Sequence, residues 1–145
     1  MAMADRKASV TWEGDLKGNG ILRFDSSGIG EFPVTWASRT ETPGGKTSPE
    51  ELIAGAHASC FSMAFSNVLA QAGHTPEKLD VEAVCSLDRV DGKPRITTMR
   101  ISVRGKVPGI SEDEFTKAAE TAKDGCPVSN ALKNNVTIYV EASLA

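Results

Sequence analysis

The sequence has few cysteines, few aromatic residues and no excess of basic charge. Of its 145 residues three are cysteine, one is tyrosine and 6% are aromatic, and the net charge is −3. A chain without a basic cluster lacks the electrostatic surface that nucleic acids and anionic membranes attract. In the cytoplasm, three cysteines are expected to be thiols rather than a structural disulfide framework. We therefore expect no nucleic-acid partner and no disulfide scaffold.

Targeting and membrane signals are also scarce. Residues Met1–Arg6 contain no apolar signal core. The most apolar stretch, Leu52–Leu69, is interrupted by polar residues and is expected to be too short and too polar for a membrane span. We therefore expect a soluble cytoplasmic protein without a membrane partner. The length fits one domain covering residues 1–145.

Apolar patterns and turn signals predict strands and helices in separate groups. Asn19-Gly20 and Asp91-Gly92 are hairpin signals, and the polar residues 38–47 are predicted to form a loop that carries Arg39. The predicted strands are Ala8–Trp12, Ile21–Phe24, Phe32–Trp36, Val81–Val90, Ile96–Val107 and Val136–Leu144. Pro33 places the third of these at a sheet edge or bulge. This grouping predicts an α+β fold with a mainly antiparallel sheet.

A long helix is predicted between these strands. Ser48 suits its N-cap, Pro49 suits the first helical position, and Glu51 completes a capping box. The helix is predicted to end at Gly73, and its apolar residues occupy nearly every face. A helix that is apolar all round is buried all round, which one domain of this size cannot achieve alone. We therefore expect a homodimer with a shared core. Two further helices are predicted after Ser111 and from Cys126 to about Lys133.

Cys60 lies deep in this long helix. A cysteine in such a place usually acts as a small buried hydrophobe. It stands twelve residues after the predicted N-cap, where the helix dipole gives little help, and apolar burial raises the pKa of a thiol. Because the thiolate is the nucleophile, a reactive Cys60 requires a cation that the fold brings to it.

Cys126 stands in Gly125-Cys126-Pro127-Val128-Ser129, at the start of a predicted helix. Unpaired N–H groups there favour negative charge, so local sequence predicts a lower pKa for Cys126 than for Cys60. A role in which Cys126 only fills space beside the turn is an equal alternative. Cys85, in a strand, is expected to be structural. Cys60 and Cys126 are 66 residues apart. If folding joins them, the chain has an attacking and a resolving thiol, the minimum for reducing a peroxide.

Other motifs give weaker signals. His57 precedes Cys60 by one helical turn, which suits either a Cys–His nucleophile or a hydrogen-bonded core histidine. The Gly45-Lys46-Thr47 tract fails as a phosphate loop because position 40 is threonine, and no dinucleotide or metal-ligand spacing is complete. We expect no metal and no cofactor. Judged alone, Arg39 is a solvated loop cation and Glu50 a carboxylate favoured at a helix start.

Together, these motifs resemble those of the OsmC/Ohr family of thiol-dependent peroxidases. The resemblance rests on residues 48–64 and 125–129, with support from Trp12–Asp15 and Val107–Ile110, and it covers nearly the whole chain. Ala56-His57-Ala58 favours the OsmC branch. The family implies an intertwined homodimer with two long central helices and two active sites at the subunit interface.

The resemblance also implies roles for individual residues. It makes Cys60 the peroxidatic cysteine, Cys126 the resolving cysteine, Arg39 the active-site arginine and Glu50 the helix-start glutamate that holds Arg39. Arg23 is an alternative for the arginine. The implied reaction is reduction of an organic hydroperoxide, and less well of hydrogen peroxide, through a Cys60 sulfenic acid and a Cys60–Cys126 disulfide that an external dithiol recycles. Such an enzyme has an antioxidant role in the stress response.

Three other interpretations stay open at this point. The chain could be a non-catalytic redox-sensing or ligand-binding module, a hydrolase that uses Cys60 and His57, or a protein whose cysteines are all inert. Slow stoichiometric oxidation would indicate the first, and thiol-independent ester cleavage the second. An absence of disulfide after mild oxidation would indicate the third.

Overall fold

A computed structural model describes residues 1–145 and has an α+β architecture. The chain divides into two compact units, Met1–Leu52 and Ile53–Ala145, which are described separately. The elements in chain order are β1 (Ser9–Glu13), β2 (Asn19–Arg23), β3 (Glu31–Val34), α1 (Trp36–Thr40), α2 (Pro49–Gln71), β4 (Lys78–Val90), β5 (Lys93–Lys106), α3 (Glu112–Gly125), α4 (Pro127–Leu132) and β6 (Thr137–Leu144).

The first unit contains an antiparallel sheet in the order β1-β2-β3. The β1–β2 hairpin is confirmed, but its turn lies at residues 14–18, because Asn19 and Gly20 already belong to β2. A Cβ atom on Gly20 would lie 2.7 Å from the Trp12 ring and 2.9 Å from Val34 Cγ1. Gly20 therefore permits close packing rather than a tight turn. β3, which contains Pro33, is an edge strand as predicted.

The segment predicted as a loop contains a short helix, and Arg39 belongs to it. Thr35 caps α1 by accepting a hydrogen bond from the Ser38 amide, and the Ser38 hydroxyl bonds back to the Thr35 backbone. The prediction of a loop at Arg39 was therefore wrong, because the reciprocal Thr35–Ser38 cap stabilises a turn of helix there. Arg39 stands on ordered backbone.

Helix α2 starts and ends close to the predicted positions. The Ser48 hydroxyl accepts a hydrogen bond from the Glu51 amide at 3.1 Å, which confirms Ser48 as the N-cap. The carboxylate of Glu51 does not complete the box, because it accepts a hydrogen bond from the Thr47 hydroxyl at 2.6 Å. Gly73 follows the helix with φ of +87°, a conformation that favours glycine.

The second unit contains a three-stranded sheet in the order β4-β5-β6. β4 and β5 form the predicted hairpin, and its two turn residues, Asp91 and Gly92, have φ of 51° and 76°. Positive φ at both positions is the requirement of the turn that Asp-Gly favours. β6 pairs with β5 in parallel, after the crossover through α3 and α4.

The core of the second unit forms around one face of α2. His57, Phe61, Phe65 and Leu69 recur every four residues and are fully buried. The Phe65 ring lies 4.9 Å from that of Phe115 in α3. The buried apolar residues of β5 and α3 in the same core are Met99, Ile101, Val103, Phe115, Ala119 and Ala122. Within a single chain, α2 is therefore buried along one stripe and not all round.

Length and composition alone would allow α2 to cross a membrane. It has 23 residues and a mean hydropathy of 1.3 over its most apolar window, so the expectation that this stretch is too short and too polar was wrong. One such helix is weak evidence for a span, because the core helix of a soluble protein passes the same test. α2 contributes Phe61, Phe65 and Leu69 to the core of the second unit.

Candidate active site

In the first unit, Arg39 and Glu50 form a bidentate ion pair. Arg39 Nε lies 3.0 Å from Glu50 Oε1, and Arg39 Nη2 lies 2.9 Å from Glu50 Oε2. Glu50 is buried, whereas the Arg39 side chain is 29% exposed. The two parallel contacts fix the plane of the guanidinium, as the sequence-based interpretation expected. The exposed part of Arg39 can act on an anion while Glu50 holds it.

Local hydrogen bonds set the position of this pair. The Ser38 hydroxyl donates to the carbonyl of Thr47 at 2.8 Å, which attaches α1 to the residue before the N-cap of α2. Arg39 then follows Ser38 in α1, and Glu50 is the second residue of α2. The Arg39 guanidinium also lies 5.8 Å from the centre of the Trp36 ring, within range of a cation–π attraction. Arg39 is therefore held from two sides.

The alternative arginine, Arg23, is occupied elsewhere. Its Nε lies 3.0 Å from Glu31 Oε1, and its Nη1 donates to the Thr11 hydroxyl at 3.0 Å. These contacts run across the three strands of the first sheet. They favour a structural role for Arg23.

A cavity of about 270 Å³ lies beside Arg39 in the first unit. Its walls include two tryptophans and Leu16, which were not recognised from the sequence. The lining residues are Trp12, Leu16, Val34, Thr35, Trp36, Arg39 and Pro49. A mostly apolar wall with one cation is suited to a small apolar molecule that carries a polar or developing anionic group.

In the second unit, Cys60 and Cys126 come together. Cys60 of α2 is partly exposed, whereas Cys126, the N-cap residue of α4, is fully buried. The two side chains interact directly, because Cys126 raises the pKa of Cys60 and a hydrogen bond from Cys60 lowers the pKa of Cys126. Folding therefore joins two sulfurs that are 66 residues apart in the sequence.

The pKa values of the two thiols are shifted in opposite directions. Burial raises the pKa of Cys60, the nearby Cys126 raises it further, and the backbone amide of Val128 opposes the change. Burial also acts to raise the pKa of Cys126. Hydrogen bonds from the Ser129 amide and hydroxyl, the Cys60 thiol and the Val128 amide outweigh it, so the pKa of Cys126 is lowered. The directions of the two pKa shifts agree with the expectation that Cys126 is the more acidic thiol.

His57 bonds to Ser129 rather than to Cys60. Its Nε2 lies 2.7 Å from Ser129 Oγ, both residues are buried, and Nδ1 has no hydrogen-bond partner. This arrangement gives no support to a Cys60–His57 nucleophile. The pair joins residues 72 positions apart.

The burial of His57 predicts a pH-dependent stability. Burial lowers the pKa of His57 below its ordinary value of 6.5. The unfolded chain therefore takes up a proton near pH 6.5 that the folded chain does not. Stability from His57 is fully present above pH 6.5 and is lost as pH falls towards the folded pKa, by at most about 1.4 kcal/mol per pH unit. Urea unfolding at several pH values measures this slope.

Matched variants identify the histidine responsible. His57→Gln should flatten the slope below pH 6.5, whereas His74→Gln, at the partly exposed second histidine, should retain the His57 contribution. An unchanged slope in His57→Gln would show that another group causes the pH dependence.

The third cysteine, Cys85, and the possible metal ligands remain to be placed. Cys85 lies in β4, partly buried against the core of the second unit. No group of three or more His, Cys, Asp or Glu side chains is arranged to hold a metal ion.

Comparison with known proteins identifies the family. The family model for OsmC-like proteins matches residues 42–141, a range that includes Glu50 and both cysteines of the pair. The chain belongs to the OsmC family. Peroxiredoxin OsmC of Escherichia coli strain K12 is 42% identical over 134 residues, which are 92% of this chain and 93% of that protein. The OsmC/Ohr resemblance stated from the motifs is thereby confirmed.

Relatives from the Ohr branch and solved structures agree with this assignment. Organic hydroperoxide resistance protein-like 1 of Staphylococcus saprophyticus is 29% identical over 87% of this chain and 88% of its own length. The crystal structure of the organic hydroperoxide resistance protein OhrB of Bacillus subtilis matches with a TM-score of 0.76 over 94% of this chain and 98% of that one, at 24% identity. The α+β fold of this OsmC-family chain is the fold of these proteins.

Proposed function

We propose that this OsmC-family protein is a thiol-dependent peroxidase that reduces organic hydroperoxides, and hydrogen peroxide less well, to alcohols or water. The observation that carries the proposal is the contact between Cys60 and Cys126, because a peroxidase of this kind needs an attacking and a resolving sulfur. The printed names of its relatives, a peroxiredoxin and an organic hydroperoxide resistance protein, support the same class of reaction.

Accessibility supports Cys60 as the sulfur that attacks the peroxide. Cys126 is fully buried, whereas Cys60 is partly exposed, so a peroxide meets Cys60 first. The raised pKa of Cys60 opposes this assignment, because the thiolate is the nucleophile. A cation must therefore act on Cys60 in the assembled enzyme. We assign this role to Arg39, held by Glu50, and propose that residues 1–145 act as one functional domain.

The reaction then runs in two steps. The Cys60 thiolate attacks the distal oxygen of R–O–O–H, the O–O bond breaks, and the alkoxide leaves with a proton as the alcohol. Arg39 stabilises the charge that develops on the departing oxygen. Cys60 becomes a sulfenic acid, and Cys126 condenses with it to a disulfide while water leaves. An external dithiol returns both sulfurs to the reduced state by exchange.

The cavity beside Arg39 supports an apolar substrate. Trp12 and Leu16 are 40% and 59% exposed and offer apolar surface next to the cation. An alkyl or aryl group buried there gains free energy from removal of apolar area from water, whereas hydrogen peroxide has no such group. This difference supports the preference for organic hydroperoxides.

We further propose a homodimer that acts in the cytoplasm as part of an antioxidant stress response. The support for a dimer is helix α2, which carries apolar residues on all sides but buries only one stripe in the single chain. Met63, on another face, is 71% exposed. A second copy of the helix would cover this surface.

Intact mass spectrometry tests the peroxidase reaction. One equivalent of cumene hydroperoxide should lower the mass by about 2 Da, the two hydrogens lost when a disulfide forms. Peptide mapping should join Cys60 to Cys126, and excess dithiol should then support repeated turnover. Disulfide formation without turnover would indicate a redox sensor instead, and an unchanged mass would reject both functions.

A further inference from the structure

The buried pair of His57 and Ser129 has no part in the two steps above. His57 Nε2 lies 2.7 Å from Ser129 Oγ, and Nδ1 faces the core without a partner. A buried imidazole with one unpaired nitrogen is less favourable than an apolar residue in the same place. Stability alone therefore does not explain why this pair is present.

The pair is connected to the thiols through Ser129. This residue lies three positions after Cys126, in the first turn of α4, and both its amide and its hydroxyl donate to Cys126 when that sulfur is a thiolate. Cys126 in turn contacts the Cys60 thiol. The side chains form one continuous row from His57 through Ser129 and Cys126 to Cys60.

The single proton of the Ser129 hydroxyl fixes the direction of its hydrogen bonds with His57 and Cys126. The Ser129 hydroxyl has a single proton, and when it points to Cys126 the oxygen must accept from His57. His57 then carries its proton on Nε2, and the unpaired Nδ1 is a lone pair. The other tautomer would leave an N–H donor without an acceptor in the core, and a doubly protonated ring would add a buried charge. Neutral His57 with a proton on Nε2 is therefore the state that fits a Cys126 thiolate.

We propose that His57 and Ser129 are positioning residues for the resolving cysteine: the Nε2–H of His57 orients the Ser129 hydroxyl so that its proton points at the sulfur of Cys126. This inference rests on the proposed peroxidase function and concerns its second step. The hydrogen bond from Ser129 stabilises the negative charge of the buried Cys126 thiolate before a sulfenic acid forms on Cys60.

In that step the Cys126 thiolate attacks the sulfur of the Cys60 sulfenic acid. The S–S bond forms, the S–O bond breaks, and hydroxide leaves and takes up a proton to become water. The sulfur of Cys126 is oxidised and that of Cys60 is reduced, so no further oxidant is required. Ser129 keeps its proton throughout and stabilises the attacking charge by its hydrogen bond.

Three variants test the row of hydrogen bonds. Ser129→Ala removes the donor to Cys126, His57→Leu removes the group that orients Ser129, and His57→Gln supplies an amide N–H as a replacement for Nε2–H. In a Cys60→Ser/Cys85→Ser background, the ultraviolet absorbance of the thiolate reports the titration of Cys126 without any peroxide. Circular dichroism checks that each variant is folded, and the charged residues at the cavity beside Ser129 (Lys123, Asp124 and Lys133) stay unchanged.

Ser129→Ala and His57→Leu should raise the pKa of Cys126, and His57→Gln should restore it. In chains that retain Cys60, rapid-quench mass spectrometry separates sulfenic acid formation from disulfide closure. Closure should slow about 10-fold or more in Ser129→Ala, with its pH profile displaced to higher pH, while sulfenic acid formation on Cys60 should not slow. If His57→Leu does not fold, Ser129→Ala and the rescue by His57→Gln still decide the result.

Two results would overturn the inference: an unchanged Cys126 titration in Ser129→Ala, or closure at the wild-type rate in that variant. A failure of the peroxidase proposal looks different. The wild-type protein would then form no sulfenic acid, while the titration of Cys126 would still respond to Ser129→Ala.

Discussion

Replacing Cys60 with serine is expected to lower hydroperoxide turnover by at least about 10³-fold, because the substitution removes the nucleophile of the first step. The serine hydroxyl is nearly isosteric with the thiol but is not ionised at neutral pH. A peroxide-consumption assay with cumene hydroperoxide and excess dithiol measures the loss. Mass spectrometry should show that Cys60→Ser forms no intramolecular disulfide.

Cys85→Ser and Cys126→Ser are the matched comparisons. Cys85→Ser should retain turnover, because Cys85 lies in β4 outside the Cys60–Cys126 pair. Cys126→Ser should complete one stoichiometric reaction and leave a Cys60 sulfenic acid that a dione probe traps. Near wild-type turnover in Cys60→Ser would mean that the proposed mechanism is wrong.

Removing the Arg39 guanidinium should have the second large effect. We expect Arg39→Ala to lower turnover about 10²–10³-fold, the usual loss when one group that stabilises developing charge is removed. The pKa of Cys60, followed by thiolate absorbance in a Cys85→Ser/Cys126→Ser background, should rise at the same time. Arg39→Lys should recover only part of the activity, because an ammonium keeps the charge but not the two-pronged contact with Glu50.

Companion variants separate catalysis from folding. Arg39→Ala leaves the buried Glu50 carboxylate without its partner, which destabilises the fold. The double variant Arg39→Ala/Glu50→Gln lacks both charges and therefore serves as the control for this destabilisation. Glu50→Gln alone should lower turnover by less, since the guanidinium remains but is held less firmly. Arg23→Ala should stay close to wild type. A wild-type titration and turnover in Arg39→Ala would transfer the cationic role to another residue.

Local sequence signals predicted most of the secondary structure. Ser48, Gly73 and the Asp91-Gly92 pair each mark a boundary or a turn that the structure confirms, because each acts through its own backbone and its nearest neighbours. The short helix that carries Arg39 was missed because its cap begins in the predicted strand Phe32–Trp36 and ends in the predicted loop of residues 38–47. The parallel pairing of β6 with β5 depends on contacts distant in sequence, which local patterns do not encode.

The candidate site was predictable only in part. The order of the two cysteine motifs identified the family, and the pair of Arg39 with Glu50 followed from that resemblance. No local motif indicates the contact between His57 and Ser129, since the two residues lie on different helices and are joined by tertiary packing. The two tryptophans beside Arg39 belong to separate segments of the first unit, and no short motif contains both.

In the proposed cycle, the complete burial of Cys126 would constrain how the oxidised protein is regenerated. An incoming dithiol would have access to the Cys60 sulfur of the disulfide and not to the Cys126 sulfur, so the mixed disulfide would form on Cys60. Cys126 would then be the leaving group, and a thiol of low pKa departs faster than one of high pKa. The same hydrogen bonds that prepare Cys126 for attack would thus assist its release at the end of each cycle.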